Sequence, residues 1–349
     1  MKYLKIGVGL LISGACLWWA LQGINFGEVG NAIVNLNWWI LAISYLPYFF
    51  IMAAKVTRWQ VLLHPDKLPF TPLFGALCIS FFWNTILPAR LGEIVRTSVV
   101  SLRFKLGFAR VLSTVLLEKI LDVATNIVFL LCLLPFLKID DGVRTTAFIL
   151  GGVIVTGVVV ALVMAAFRHQ SEAITRFFLK PLPKKIGDAL FNFATQVLDS
   201  LAVLLNPRLA FNIVGQSFLL WTVNIFTYWL VGIAMNVPLT FELALWVMIA
   251  TNLGMAVPSA PGYLGVYHAI IVAALTPFIA DKNLLLSYAV IMHLSGFLPV
   301  VILGAIFTLR EGLSLGKVSG KNKEKTAEPP AASPISSPTA EPVSNAARD

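Results

Sequence analysis

The sequence predicts an all-α polytopic membrane protein with about six full spans and two re-entrant broken-helix hairpins, arranged as an inverted repeat. Three observations predict it. Of the 349 residues, 58% are hydrophobic and only 12% charged, whereas a soluble domain carries about a quarter charged residues. Apolar stretches recur at 4–22, 39–54, 70–87, 112–137, 145–167, 209–235, 241–257, 262–280 and 284–309. Several reach the roughly 20 residues that cross a hydrocarbon core of about 30 Å. Finally, the distribution of Lys and Arg sends two interrupted stretches back to the side they came from.

The first stretch, 4–22, follows Lys2 and Lys5 as a signal peptide would. It lacks a small-residue cleavage site, and Trp18 and Trp19 sit near its end like an interfacial belt, so it reads as an uncleaved span. The linker 23–38 carries no Lys or Arg and belongs outside, which puts the N-terminus inside. Span 39–54 returns, followed by Lys55, Arg58 and Lys67. A simple span over 70–87 would then lead outward. Yet Arg90, Arg96, Arg103, Lys105 and Arg110 follow it, the densest basic run so far. A hairpin over 70–101 that enters from the cytoplasm and goes back removes the conflict. Its break falls at Pro88, where proline removes a backbone donor. Non-helical backbone at membrane depth is tolerated only inside protein or along a wet cavity.

Span 112–137 leads out and span 145–167 comes in, before a strongly basic stretch at 168–208. Within it, Ile186, Leu190, Phe193, Val197, Leu201 and Leu204 mark an amphipathic helix over 185–205. It lies on the cytoplasmic surface, with Lys180, Lys184 and Lys185 near anionic headgroups, or packs on the bundle. Span 209–235 leads out. Span 284–309 must come in, because Arg310 and Lys317 follow it. The segment between them is a second hairpin, 241–257 and 262–280, broken at 258–265 (PSAPGYLG). The membrane domain thus covers 1–310. Residues 311–349, rich in proline, serine and alanine, form a disordered cytoplasmic tail.

The two breaks share a pattern. Pro88, Leu91 and Gly92 match Pro261, Leu264 and Gly265 as P-x-x-L-G. Flanking spans repeat at the same offset of about 170 residues, giving halves at 39–137 and 209–309 of opposite orientation, as in many secondary transporters. The alternative is a pair of ordinary proline kinks, which leaves the basic run after 87 unexplained.

Buried charge is costly, about 2.5–3.5 kcal/mol per residue on insertion scales, so charges within spans need a reason. Glu118 and Asp122 are four apart on one helix face, with Arg90 and Arg96 as natural partners, and Glu93 is three from Arg96 and placed to pair with it. One reading is a polar cavity in which Arg90 and Arg96 fork onto an anionic group such as a phosphate. The other is a structural ion network pinning the hairpin. Lys119 points elsewhere and snorkels. His268, three after Gly265, either gates a cavity or is a satisfied buried histidine. Asn84 and Asn252 precede the breaks and are placed to satisfy freed backbone groups. Cys16, Cys78 and Cys132 have no short spacing and read as packing residues, and the four histidines lack metal-ligand spacing. No cofactor, metal, nucleic-acid module or catalytic constellation is expected.

The segments Asn84–Arg96 (NTILPARLGEIVR), Glu118–Asp122 (EKILD) and 258–268 (PSAPGYLGVYH) resemble the lysylphosphatidylglycerol synthase transmembrane, or flippase-like, family. Its patterns are of the type N-x-x-x-P-x-R-x-G-[DE]-x-x-R, E-R-x-x-D and P-x-x-P-G-x-x-G-x-x-E. The resemblance spans about residues 5–310. Lys119 replaces the usual Arg, and His268 replaces the usual Glu, which puts a carboxylate role there in doubt. The soluble aminoacyl-transferase domain of two-part members is not seen, so lipid lysylation is not expected.

The resemblance implies a stand-alone, non-enzymatic lipid translocase of the inner (plasma) membrane with both termini cytoplasmic. Its substrate is a membrane lipid with an anionic or isoprenoid-linked headgroup. The site comprises Asn84, Pro88, Arg90, Gly92, Glu93, Arg96, Glu118, Asp122, Pro261, Gly262, Gly265 and His268. The alternative is a scaffold that holds a lipid- or glycan-modifying enzyme through 168–208. An intramembrane lipid-modifying enzyme is a third reading.

Overall fold

A computed structural model of the chain describes residues 2–87, 91–137, 141–255 and 259–311. The tail, from residue 312 onward, lies outside them. The described residues are helical throughout, without a strand. Helix α1 (Lys2–Leu21) leads into a short α2 (Phe26–Val34). The linker had shown no such helix. Asn25 starts it, its side chain accepting from the Gly27 N–H at 3.0 Å, and satisfies a donor that the first turn leaves open. Then come α3 (Trp38–Leu62), the pair α4 (Phe70–Ile86) and α5 (Gly92–Phe104), and α6 (Phe108–Leu133). Helices α7 (Asp141–Ala166), α8 (Arg168–Leu179) and α9 (Lys184–Ala202) follow. The last group is α10 (Pro207–Ala234), α11 (Phe241–Gly254), α12 (Val266–Leu275) and α13 (Lys282–Arg310).

Five stretches among the described residues are long and apolar enough to cross a membrane: α3, Arg144–Ala166 of α7, Lys184–Leu205, α10 and α13. α6 has the length, 26 residues, but its buried charges lower its apolarity. α11 has 14 residues and α12 only 10. At 1.5 Å per residue neither reaches across about 30 Å, which is what a re-entrant hairpin requires.

Helices α3–α6 and α10–α13 correspond in order. Helix α4 packs on α13 as α11 packs on α6, α4 on α5 as α11 on α12, and α5 on α6 as α12 on α13. Exchanging the halves therefore preserves the packing. The central pair, α3 and α10, is its own counterpart. These two run antiparallel: the Asn37 N–H donates to the Ala234 carbonyl at 2.8 Å near one end, and Arg58 Nη1 to Ser217 Oγ at 2.9 Å near the other. Equivalent antiparallel helices are exchanged only by an axis perpendicular to them. The two halves thus have opposite orientation, the geometry of an inverted repeat.

Helices α7–α9 stand outside this symmetry. α7 presents Phe148, Ile149, Val153, Val159, Val160 and Val163 outward, the apolar face that a lipid environment demands. α8 and α9 fold back on each other, with Arg168 paired to Asp199 at the base and Arg176 4.1 Å over the Phe191 ring. Ser200 of α9 bonds Ser113 of α6 at 2.6 Å, and Leu198 and Leu201 are buried. The segment packs on the bundle through Leu198 and Leu201, three apart on one helix face, while Ile186 and Leu190 stay exposed.

Candidate functional site: a cavity between two broken helices

The first break is closed by its own sequence. The Asn84 side-chain oxygen accepts from the Gly92 N–H at 2.8 Å, tying the end of α4 to the first turn of α5. A Cβ on Gly92 would lie 2.0 Å from the Ser80 carbonyl oxygen, so only glycine allows this approach. Glu93 follows in the first turn, where a carboxylate is favoured, and accepts from Ser80 Oγ at 3.1 Å. Pro88 and Arg90 lie outside the described residues.

The second break is a 3-10 turn, Pro261–Tyr263. Gly262 (φ 71°), Tyr263 (φ 57°) and Gly265 (φ 83°) all have left-handed backbone, a cost that a non-glycine such as Tyr263 bears only when its surroundings hold it. α1 helps to hold it: the Ala260 N–H donates to Ser13 Oγ at 2.7 Å. Asn252, expected to support this break, instead donates to Met248 in its own helix at 2.8 Å. His293 takes the bridging role, with Nε2 at 2.9 Å from the Gly262 carbonyl. The breaks meet where the turn packs on α4.

Seven charged side chains converge beside the first break. Arg96 Nη2 donates to Glu118 Oε2 at 3.0 Å, and its Nε lies 3.1 Å from Glu93 Oε2. Its guanidinium also lies 4.6 Å over the Trp59 ring. Arg58 Nη2 donates to Asp122 Oδ1 at 2.7 Å and lies 4.0 Å from Glu118 Oε1. A cation therefore sits between the two carboxylates that share the α6 face. Lys55 Nζ reaches Asp122 Oδ2 at 3.3 Å, and Lys119 Nζ reaches Glu93 Oε1 at 3.1 Å. The Trp221 indole N–H donates to Asp122 Oδ1 at 3.2 Å. Four cations (Lys55, Arg58, Arg96, Lys119) thus face three carboxylates (Glu93, Glu118, Asp122), a surplus of positive charge.

This cluster borders a cavity of about 310 Å³ to which both halves contribute. Lys55, Lys119, Glu93 and Asp122 line its ionic side. Tyr263, Tyr267 and Phe297 line the opposite half. Behind them the rings interlock: Tyr267 stacks on His293 at 4.9 Å, and His293 meets His268 at 5.0 Å. Tyr228 shares hydrogen bonds with Thr251 at 2.8 Å and Tyr267 at 3.5 Å.

The placement of the sequence candidates divides them. Asn84, Glu93 and Asp122 line the cavity. Arg96 and Glu118 are buried behind it, 0% and 1% exposed, and do not line it. Gly92, Pro261, Gly262 and Gly265 shape the breaks. His268 is buried beside Tyr267 and is not on the wall. Lys119, read as snorkelling away, instead turns to Glu93 on the wall, because that carboxylate is its nearest counter-charge. Sequence reading missed Lys55, Arg58 and Trp221. It ended the span at 54, where the apolar run stops, and took both cations as orientation charges. α3 continues to Leu62, so Lys55 and Arg58, three apart on one face, point into the bundle toward α6.

Comparison with known proteins decides the family. The family described as "Lysylphosphatidylglycerol synthase TM region" matches residues 6–304. The chain belongs to this family. It is similar to "UPF0104 membrane protein PH1989" of Pyrococcus horikoshii, 24% identical over 331 residues, covering 89% of this chain and 97% of the relative. It is also similar to "Glycosyltransferase AglD" of Haloferax volcanii, 24% identical over 312 residues, covering 79% of this chain and 50% of the relative. The chain thus spans about half the length of that second relative. No solved structure matches it. This member of the lysylphosphatidylglycerol synthase TM region family is a multi-pass membrane protein, and the family ties it to a lipid-related membrane role. The family's three motif segments come together in this fold: the first two supply the ionic side of the cavity and the third the turn that faces it.

Proposed function

We propose that this chain is a transporter that moves a lipid with an anionic headgroup between leaflets, not an enzyme. The observation that carries the reading is the pair of lysine amines at the wall of a cavity held between two oppositely oriented halves, in a cluster where four cations face three carboxylates. Lys55 and Lys119 present amines to that wall, each already leaning on a carboxylate. An entering phosphate exchanges those partners for itself, and the carboxylates recover the amines when it leaves. Binding is then strong enough to admit the headgroup and weak enough to release it. At about 310 Å³ the cavity is at the lower end of ligand-sized sites, suited to a headgroup while the lipid chains stay in the bilayer. The Lys and Arg bias supports an inner-membrane protein with both termini in the cytoplasm.

The test is leaflet exchange in proteoliposomes, using headgroup-matched lipids of different charge. Wild type should move anionic lipids faster than zwitterionic ones, and Lys55→Ala/Lys119→Ala should lose that movement while keeping the fold. Equal exchange by wild type and the double variant would sink the assignment. One observation favours the scaffold reading as a second possibility: the α8–α9 hairpin exposes Phe177 and Phe178 beside Lys180 at its tip. On that reading, a lipid- or glycan-modifying enzyme docks there, and Phe177→Ser/Phe178→Ser abolishes function while the cavity variants remain active.

A further inference from the structure

The ionic side of the cavity answers to charge, but its remaining wall has a different chemistry. Asn126 and Thr227 both line the cavity, are 1% and 7% exposed, and have side-chain oxygens without a hydrogen-bond partner among the described residues. Asn126 spends its amide N–H on the Asp122 carbonyl at 2.8 Å, which leaves its oxygen as a free acceptor. Buried polar atoms are rarely left unpaired, so each of these oxygens calls for a water or a hydroxyl of a bound ligand. Asn224 and Asn252 add two further amides to the same lining. The rings of Tyr263, Tyr267 and Phe297 belong to the same lining.

Amides and a hydroxyl that offer both donors and acceptors suit a ligand rich in hydroxyl groups, which is donor and acceptor at each oxygen. Aromatic faces suit the C–H faces that such a ligand presents between its hydroxyls. An alkylammonium headgroup would use the rings alone, and a purely anionic one would use neither. From this juxtaposition, with Lys55 and Lys119 beside it, we infer that the transported headgroup is a phosphate ester bearing a sugar or polyol. The cations hold the phosphate and the amide–aromatic wall reads the hydroxyls. This inference deepens the translocase reading and rests on it for the word "transported", but the binding site it describes is testable without transport.

Two lipid classes share this chemistry: polyol phospholipids and isoprenoid phosphate sugars. The first experiment is equilibrium binding to the purified full chain in detergent, with glucose 1-phosphate, inorganic phosphate and glucose as probes. Glucose 1-phosphate should bind about tenfold more tightly than inorganic phosphate, the scale of one or two hydrogen bonds. Asn126→Leu and Thr227→Val should each collapse that ratio toward one while phosphate binding persists. Lys55→Ala/Lys119→Ala should weaken both phosphates together. Persisting phosphate binding shows that a variant is folded, and Thr227→Val, nearly isosteric, guards against loss of fold in the Asn126 variant. Equal binding of the two phosphates, no binding of either, or variants that keep the wild-type ratio would overturn the inference.

Leaflet exchange then separates the lipid classes. Phosphatidylinositol and a polyprenyl phosphate glucose are each compared with phosphatidic acid and the bare polyprenyl phosphate. A sugar- or polyol-dependent gain in either pair supports the inference and names the source. Hydroxyl-dependent binding without exchange of any lipid would overturn the translocase reading alone.

Discussion

Arg58 and Arg96 carry charge where water does not reach, both side chains being 0% exposed. Their guanidinium groups are held by carboxylates, and removing one partner of such a pair costs about 3–5 kcal/mol because the other is left buried and uncompensated. Arg58→Ala should therefore lower the thermal unfolding midpoint in detergent by several degrees or more. Lys55→Ala, which removes a cation from the cavity wall while Arg58 and Trp221 still hold Asp122, should leave the midpoint close to wild type. The same variant should cut anionic-lipid exchange by about tenfold or more, the loss of one charge-assisted contact. A matched fall in stability for both variants would mean that Lys55 is a strut like Arg58. At this scale the sequence was informative for Glu118 and Asp122, since helical spacing alone puts both on one face. Lys55 and Arg58 were hidden because a cation after an apolar run looks like an interfacial anchor until its counter-ion on another helix is known.

The elements carry the breaks, and the breaks carry the site. Gly92 lets the N-terminus of α5 lie on α4. A methyl group there would meet the Ser80 carbonyl at 2.0 Å, backbone that cannot step aside. Gly92→Ala should force the hairpin open and reduce both stability and exchange. Gly157→Ala in α7, where nothing lies within 4 Å, should be neutral or slightly stabilising, because glycine in a helix interior costs about 1 kcal/mol relative to alanine. Thermal melts of the two variants side by side check this, and similar losses in both would refute the packing argument. The P-x-x-L-G pattern made both interruptions legible in the sequence. It did not reveal that Asn84 closes the first while Asn252 leaves the second to His293. Both asparagines precede a break, and only the fold decides which one the returning helix approaches.

The whole molecule is two like units packed head to tail about the antiparallel pair α3 and α10. If α5–α6 and α12–α13 are counterparts across that pair, their connecting loops lie on opposite sides of the membrane. In a background with Cys16, Cys78 and Cys132 replaced by alanine, Lys105→Cys and Ala280→Cys test this, since both residues are exposed. In sealed vesicles of cellular orientation, a membrane-impermeant maleimide should label Ala280→Cys and reach Lys105→Cys only after permeabilisation. Labelling of both from one side would contradict the inverted arrangement.

The sequence by itself determined the membrane class, the short interrupted helices, the two like halves and the acidic face of α6. Each of these follows from local composition, periodicity or the charge bias across a bilayer. Tertiary structure decided which cations belong to the site and which only brace it, that Arg96 and Glu118 lie behind the wall, and that amides and rings complete the cavity. Those properties depend on contacts between residues about 20 to 160 positions apart, brought together by the packing of α5 on α6 and of α3 against α6 and α10. A chain read in one dimension shows that a buried charge must find a partner, but only the folded bundle shows which partner it finds.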